Sequence, residues 1–338
     1  MTKIILTELD IINTYNKRQQ EQCRLYYKHK KIKEQNPTFG YKRIAKLLNQ
    51  SYGKTRWWHA KKHIPVPIQT ANWLKEKGLI PLKLDDPRLP LIAKISGATF
   101  GDGGIDKNHN MIFLSSSELE SLEDFKQDLI RIFGNEIEQN FDMRRGGVKL
   151  TSFCQRNTNR NVIRFFKALG TPIGNKTTQL INFPEWIELN KKLKDEFHFS
   201  LFGSEAGIPN QRGGQANTFD IALGGLPEFH NNRILLMNSI KNYLRNKGIN
   251  SGKISVNKSK SGFNQHTFIY RLLISTNIEN MMIFDKKMRL NYCYYKKDKL
   301  QNTIFDILRI KGLRLRELQN IYSGNRETAL KKLNIKVV

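Results

Sequence analysis

Cysteine is scarce: Cys23, Cys154 and Cys293 are the only three in 338 residues, far apart and without a C-x-x-C pair. That spacing excludes a disulfide framework and a cysteine-type zinc site, and it fits a reducing compartment. The seven histidines form no H-E-x-x-H, so a histidine metal site of that kind has no support. No apolar run approaches the ~20 residues that span a bilayer. The opening MTKIILTELD has a short apolar stretch followed by acids, which is not a signal-peptide layout. An intracellular protein is expected, cytoplasmic or in the nucleoid, or organellar if encoded there.

Acidic residues are also in deficit. Thirty Asp and Glu stand against 57 Lys and Arg, a formal net charge of +27. An excess of that size repels itself unless it meets a polyanion, so nucleic acid is the first-choice partner. Aromatics at 10% and hydrophobics at 39% are enough for an ordinary core. The length suits about two domains.

The positive charge is densest in residues 1–88, with 19 basic and 7 acidic side chains. PLKLDDPRLP (81–90) ends this block, and its prolines suggest a linker. Inside it, YKRIAKLLNQ carries Ile44, Leu47 and Leu48 at helical spacing. A break at Ser51-Tyr52-Gly53 and a cationic helix, KTRWWHAKKH, follow. This outline suits a helix-turn-helix, with Lys54 and Arg56 as candidate DNA contacts. It suits equally an ordinary helical pair with Trp57 and Trp58 as core. The tail, 301–338, reads as a small helical unit.

Residues 89–300 repeat internally. The first copy runs from an apolar helix, LPLIAKISGATFG, through strand MIFLSS and an amphipathic helix, Glu118–Phe133. Strands EIEQNF and VKLTSF and helix NRNVIRFFKAL complete it. The second runs EFHFSLFGS, NTFDIAL, RILLMNSIKNYLR, KISVN, FIYRLLIS and IENMMIFDKKM. With a less secure first strand in each, near 104–108 and 207–212, the order is αββαββα twice. The fold class is α+β with antiparallel sheets, the units spanning 89–185 and 186–300. The strands alternate, which leaves one sheet face solvated. Lys253, Ser255 and Asn257, Glu138 and Asn140, Arg144 and Arg145, and Thr218 and Asp220 are its candidate contacts to bases and phosphates.

Each copy opens on a helix with small residues four apart, then an acid. Gly97 and Gly101 precede Asp102; Ser200 and Ser204 precede Glu205. Positions four apart share a helix face, and small side chains there allow two backbones to approach. A carboxylate at a helix C-terminus lies against the wrong end of the dipole. Two such ends meeting at a pseudo-twofold axis would be relieved by a hard divalent cation, Mg²⁺ or Ca²⁺. Set against phosphate, that arrangement suits phosphodiester hydrolysis. Alone, Asp102-Gly103 would be a simple turn and Glu205 a surface acid. Their recurrence behind the same small pair argues otherwise.

At these residues the chain resembles the LAGLIDADG homing endonucleases, in their single-chain form with two motif copies. ISGATFGDG (95–103) aligns with the nine-residue motif and SLFGSEA (200–206) with its last seven positions. LGTPIGNKTT (169–178) with LINFPEWI is similar to the link between halves in archaeal-type members. Phe100 and Gly203 depart from the family at a variable position, and Ala206 replaces its final glycine. The resemblance implies that Asp102 and Glu205 are catalytic and hold the metal. It also implies a basic residue near each centre, for which Lys149 and Arg271 are the candidates. It implies a saddle of two sheets over a long asymmetric duplex site, cut with Mg²⁺ to leave short 3′ overhangs. Mn²⁺ would substitute, and Ca²⁺ would support binding without cleavage. A monomer is expected. The chain begins at Met1, ends KVV and lacks intein ends, so an intron-encoded or free-standing enzyme is expected. An RNA maturase acting on structured intron RNA, an inactive DNA-binding regulator and a structural nucleoid protein are the rival readings.

Overall fold

A computed structural model describes residues 2–60, 62–146, 151–212, 215–259 and 266–310. Lys149 and residues 311–338, which hold most of the expected tail, lie outside the described residues. No helix among the described residues is long and apolar enough to cross a membrane.

The N-terminal block is helical around one small ladder. β1 (Ile4–Leu6) leads to α1 (Glu8–Asn13), α2 (Lys17–Gln35), α3 (Tyr41–Leu48), α4 (Tyr52–His59) and α5 (Val66–Glu76). β2 (Leu82–Lys83) then pairs antiparallel with β1. The expected break at Ser51-Tyr52-Gly53 falls elsewhere. Asn49 takes the left-handed conformation (φ 50°), and Ser51 caps α4 by accepting from the Lys54 N–H, which draws Gly53 into the helix. Asparagine tolerates that backbone, and a serine cap satisfies one of the free N–H groups at a helix start. Trp58 is buried with Tyr26, Cys23, Ile12 and Ile68 in a small separate core, whereas Trp57 is exposed.

The expected linker is not an open tether. Leu79, Ile80 and Leu82 are buried in the main core, and Arg88 is hydrogen-bonded to Asp86 and to the Lys77 carbonyl. The alternating leucines around Pro81 explain it, since each needs an apolar neighbour.

The two repeats follow. The first is α6 (Leu89–Phe100), β3 (Gly103–Ile105), β4 (Ile112–Ser116), α7 (Leu119–Phe133), β5 (Phe141–Gly146), β6 (Ser152–Asn157) and α8 (Arg160–Ala168). After the short α9 (Glu185–Glu188) comes the second, opened by α10 (Lys191–Glu205) and β7 (Ala206–Gly207). A hairpin of β8 (Gln211–Arg212) and β9 (Gln215–Ala216) interrupts it. It resumes as β10 (Asp220–Gly225), α11 (His230–Asn246), β11 (Ser251–Lys258), β12 (Phe268–Ile274) and α12 (Ile278–Lys287), and α13 (Tyr294–Ile310) closes the described chain. The fold is α+β, with two antiparallel four-stranded sheets of equivalent order, β3-β4-β6-β5 and β7-β10-β12-β11.

Alternation places Ile112 and Leu114 of β4, and Tyr270 and Leu272 of β12, in one core with the helices. EIEQNF, expected as a strand, is a 3₁₀ turn over Asn135–Asn140. Ile137 is its one apolar side chain before Phe141 and it is buried, so there was no alternating face to pack against helices. The helix α13 crosses residue 300 without a break and buries Leu300, Ile304, Ile307 and Leu308.

Candidate active site

The motif helices α6 and α10 pack against each other so closely that side chains are excluded. A Cβ on Gly97 would stand 2.0 Å from the Phe197 carbonyl oxygen, and one on Gly101 would stand 2.2 Å from the Ser204 Cβ. The rings of Phe100 and Phe197 meet edge-on at 5.2 Å beside this seam. The small positions of α10 divide their roles. Ser204 faces Gly101, while Ser200 accepts from the Asn291 side chain (3.2 Å), and Gly203 allows the Asn291 backbone to lie on the helix.

Asp102 and Glu205 follow directly from that contact. The Glu205 Cγ is 3.6 Å from where a Gly101 Cβ would be. Burial pushes the Glu205 carboxyl up to about 7, the neighbouring Asp102 pushes the same way, and Lys176 and Lys296 oppose both. Asp102 opens onto solvent at one side but is otherwise walled by protein; this desolvation raises its pKa against Lys296 and Lys176. A cavity of about 240 Å³ lies beside Glu205, lined by Phe100, Lys176, Leu223 and Arg233 among others.

Two lysines that the sequence reading did not single out sit at the ends of these helices. Lys176, in the segment between the repeats, donates to the carbonyl oxygens of Phe100 (3.2 Å), Gly103 (2.9 Å) and Gly101. Lys296, in the first turn of α13, donates to Gly203 (2.7 Å) and Ser204. The last carbonyls of a helix have no partner within it and carry its negative end, so an ammonium there is favourable. Burial lowers the Lys176 pKa, and Glu205 and then Asp102 raise it. Lys176 lies within the quoted LGTPIGNKTT; Lys296 lies in no motif.

Arg271 lies on β12, ion-paired with Asp220 at 2.8 Å. The first sheet has a similar pair, Arg156 of β6 with Asp142 of β5. Of the candidate contacts, Lys253, Asn257 and the loop residue Thr218 are exposed and Ser255 is half-buried. Arg144 is exposed beside Asp142 (3.1 Å). Arg145 is directed to the opposite sheet face, over Phe153 (5.9 Å). Glu138 and Asn140 lie on the 3₁₀ turn, not on a strand. Arg56 of α4 is exposed, and the Lys54 ammonium lies 4.9 Å from the Trp58 ring centre. His59 and His63 are four apart but diverge, His59 toward His29 and Tyr41 and His63 toward Trp57.

No cluster of three acid, histidine or cysteine groups suited to a metal occurs among the described residues. The carboxylate pair is nevertheless apt for a hard cation. All its donors are oxygens, and Glu205 stays near 7 beside two ammonium groups, so the positive charge present does not saturate the acids.

No family model matches the chain. It is 30% identical over 245 residues to the tRNA-splicing ligase RtcB of Pyrococcus abyssi, covering 70% of this chain and 26% of that protein. It is 26% identical over 246 residues to the replication factor C small subunit of Methanocaldococcus jannaschii, covering 70% of this chain and 13% of that one. The chain thus spans about a quarter or less of these relatives. Among solved structures it is similar to the homing endonuclease I-DmoI in complex with DNA and Ca, at 13% identity and TM-score 0.37, covering 60% of this chain and 91% of that one.

Proposed function

We propose, for a chain that resembles the LAGLIDADG homing endonucleases through both of its repeats, site-specific double-strand cleavage of DNA with a divalent cation. The observation that carries this reading is the meeting of Asp102 and Glu205 at the ends of two glycine-packed helices. A binding module gains nothing from two neighbouring, partly desolvated carboxylates that repel each other. Two relatives with unrelated names, a ligase and a replication factor, each match 70% of this chain. That one segment matches proteins so differently named supports a module distinct from those activities.

In this reading Asp102 and Glu205 hold the cation, which supplies charge stabilisation for the departing oxygen and a more acidic water. Lys176 and Lys296 fix the helix ends and offset part of the acids' desolvation and repulsion. They add two basic groups at the motif helices' ends; Lys149, outside the described residues, and Arg271 of β12 stay the candidates for the basic residue near each centre. Arg144, Lys253, Ser255, Asn257 and Arg271 supply contacts on the solvated sheet faces. The α2–α4 bundle adds a second basic surface through Lys54 and Arg56.

Cutting a randomised duplex library with Mg²⁺ and sequencing the ends tests this. One long asymmetric site with short 3′ overhangs is expected. The double variant Asp102→Asn, Glu205→Gln should lose nicking and cutting while binding in Ca²⁺ persists. A double variant that matched wild type in every assay would establish the regulator reading instead.

A further inference from the structure

Two segments cross between the repeats, and each delivers one of the lysines. The first, residues 169–184, leaves α8 and bridges Ile173 to Ile105 at the edge of the first sheet. It is then held by the second repeat. Arg233 of α11, 1% exposed, donates from Nη2 to the carbonyl oxygens of Lys176 (2.6 Å) and Gln179 (2.9 Å), and from Nε to that of Gly224 on β10 (2.9 Å). Leu226 N–H donates to the Thr177 carbonyl (3.0 Å), and Asn232 clamps Ile181 through both its N–H and its carbonyl.

The second segment, residues 288–296, leaves α12 and crosses α10 at Gly203. It is then held by the first repeat. Tyr292 Oη donates to Asp128 of α7 (2.7 Å), and the Tyr295 N–H donates to Glu118 (2.9 Å), just before α7. Asp128 also receives Lys94 of α6 (2.6 Å).

The pattern is reciprocal. Lys176 caps the motif helix of the first repeat but its backbone is tied to the second; Lys296 caps that of the second and is tied to the first. We infer that each lysine is aimed by the opposite repeat, with Arg233 the positioning residue for Lys176 and Glu118 that for Lys296. Neither repeat then makes a complete helix end alone, which forces the two centres to assemble together. This rests on the endonuclease reading for its catalytic consequence, though not for its geometry.

The test uses Glu118→Ala, Glu118→Gln and Arg233→Lys in the full chain. Nicking is followed separately on each strand of the library-selected duplex, and amide hydrogen exchange is followed at the helix ends. Those ends are reported by the Gly101 N–H bonded to Ala98 and the Ala206 N–H bonded to Phe202. Misplacing a group by about an ångström costs roughly ten- to a hundredfold in rate. Glu118→Ala should slow one strand by that factor and deprotect the Ala206 end; Glu118→Gln, which keeps an acceptor oxygen, should restore both. Arg233→Lys should slow the other strand and deprotect the Gly101 end. If Arg233→Lys does not fold, the Glu118 pair decides. Equal slowing of both strands, or deprotection confined to the variant's own repeat, would overturn the inference. A wild type that cuts no duplex would end the endonuclease reading, and the exchange pattern would still decide this one.

Discussion

Glu205 is chemically altered by where the chain leaves it. Burial and then the neighbouring Asp102 raise its pKa to about 7, and the two ammonium groups only partly compensate. The consequence differs in sign for cation binding and for folding. A cation needs the ionised carboxylate, so protons compete with it below about 7. Ca²⁺ affinity measured by titration calorimetry should therefore rise by up to about tenfold per pH unit toward 7 and then level. For folding, a carboxyl whose pKa is raised favours the protonated form. That contribution is fully present below its ordinary value near 4.5 and is lost as pH rises through 7. The cation-free melting temperature should carry a decline across this window that Glu205→Gln removes and Mg²⁺ offsets. A wild-type affinity independent of pH between 5.5 and 7 would contradict the raised pKa of Glu205.

At the level of elements, two helical glycines have opposite reasons to be there. Gly97 in α6 has no room for a Cβ, because the contact is with the Phe197 backbone oxygen, which cannot move aside alone. Gly97→Ala should cost about 1–3 kcal/mol through separation of the helices, visible as a lower melting temperature. Gly53 in α4 is exposed, and a Cβ there would meet nothing within 4 Å. Gly53→Ala should stabilise by about 0.5–1 kcal/mol, since glycine in a helix carries an entropic cost. The same contrast explains what was legible in the sequence. The motif helices were legible because a small residue in an apolar helix needs a packing reason, and its repetition supplied one. The strands were legible where apolar residues alternate, as in β11 and β12, and not at Asn135–Asn140, where a lone Ile137 had nothing to alternate with. Gly53 was misread as a turn because the left-handed residue is Asn49, which carries a weaker signal than glycine. Lys176 and Lys296 were not legible for a different reason. Their role is set by carbonyl groups 73 to 93 residues away in the chain, and a lysine looks alike in sequence whether solvated or buried.

On the scale of the whole molecule, charge and core are organised differently. Residues 17–59, which hold the bundle α2–α4, carry 12 basic and 2 acidic side chains, most of the positive excess of the first 88 residues. The elements on either side of it belong to the main core, where Leu6, Ile11, Leu74 and Leu82 are buried with the repeats. Deleting the N-terminal block would strip that core, and a loss of DNA binding would then say nothing about contacts. Charge substitution avoids the difficulty. Lys54→Gln and Arg56→Gln leave the buried Thr55 and Trp58 of α4 in place. If α4 lies on the duplex, each lost phosphate contact should reduce the slope of log affinity against log salt by about 1, with the cut position unchanged. Were Arg56 to reach a base edge instead, substitution would relax preference at one position of the site and leave the slope nearly as it was. An unchanged slope together with an unchanged site would remove α4 from the interface and leave its charge facing solvent.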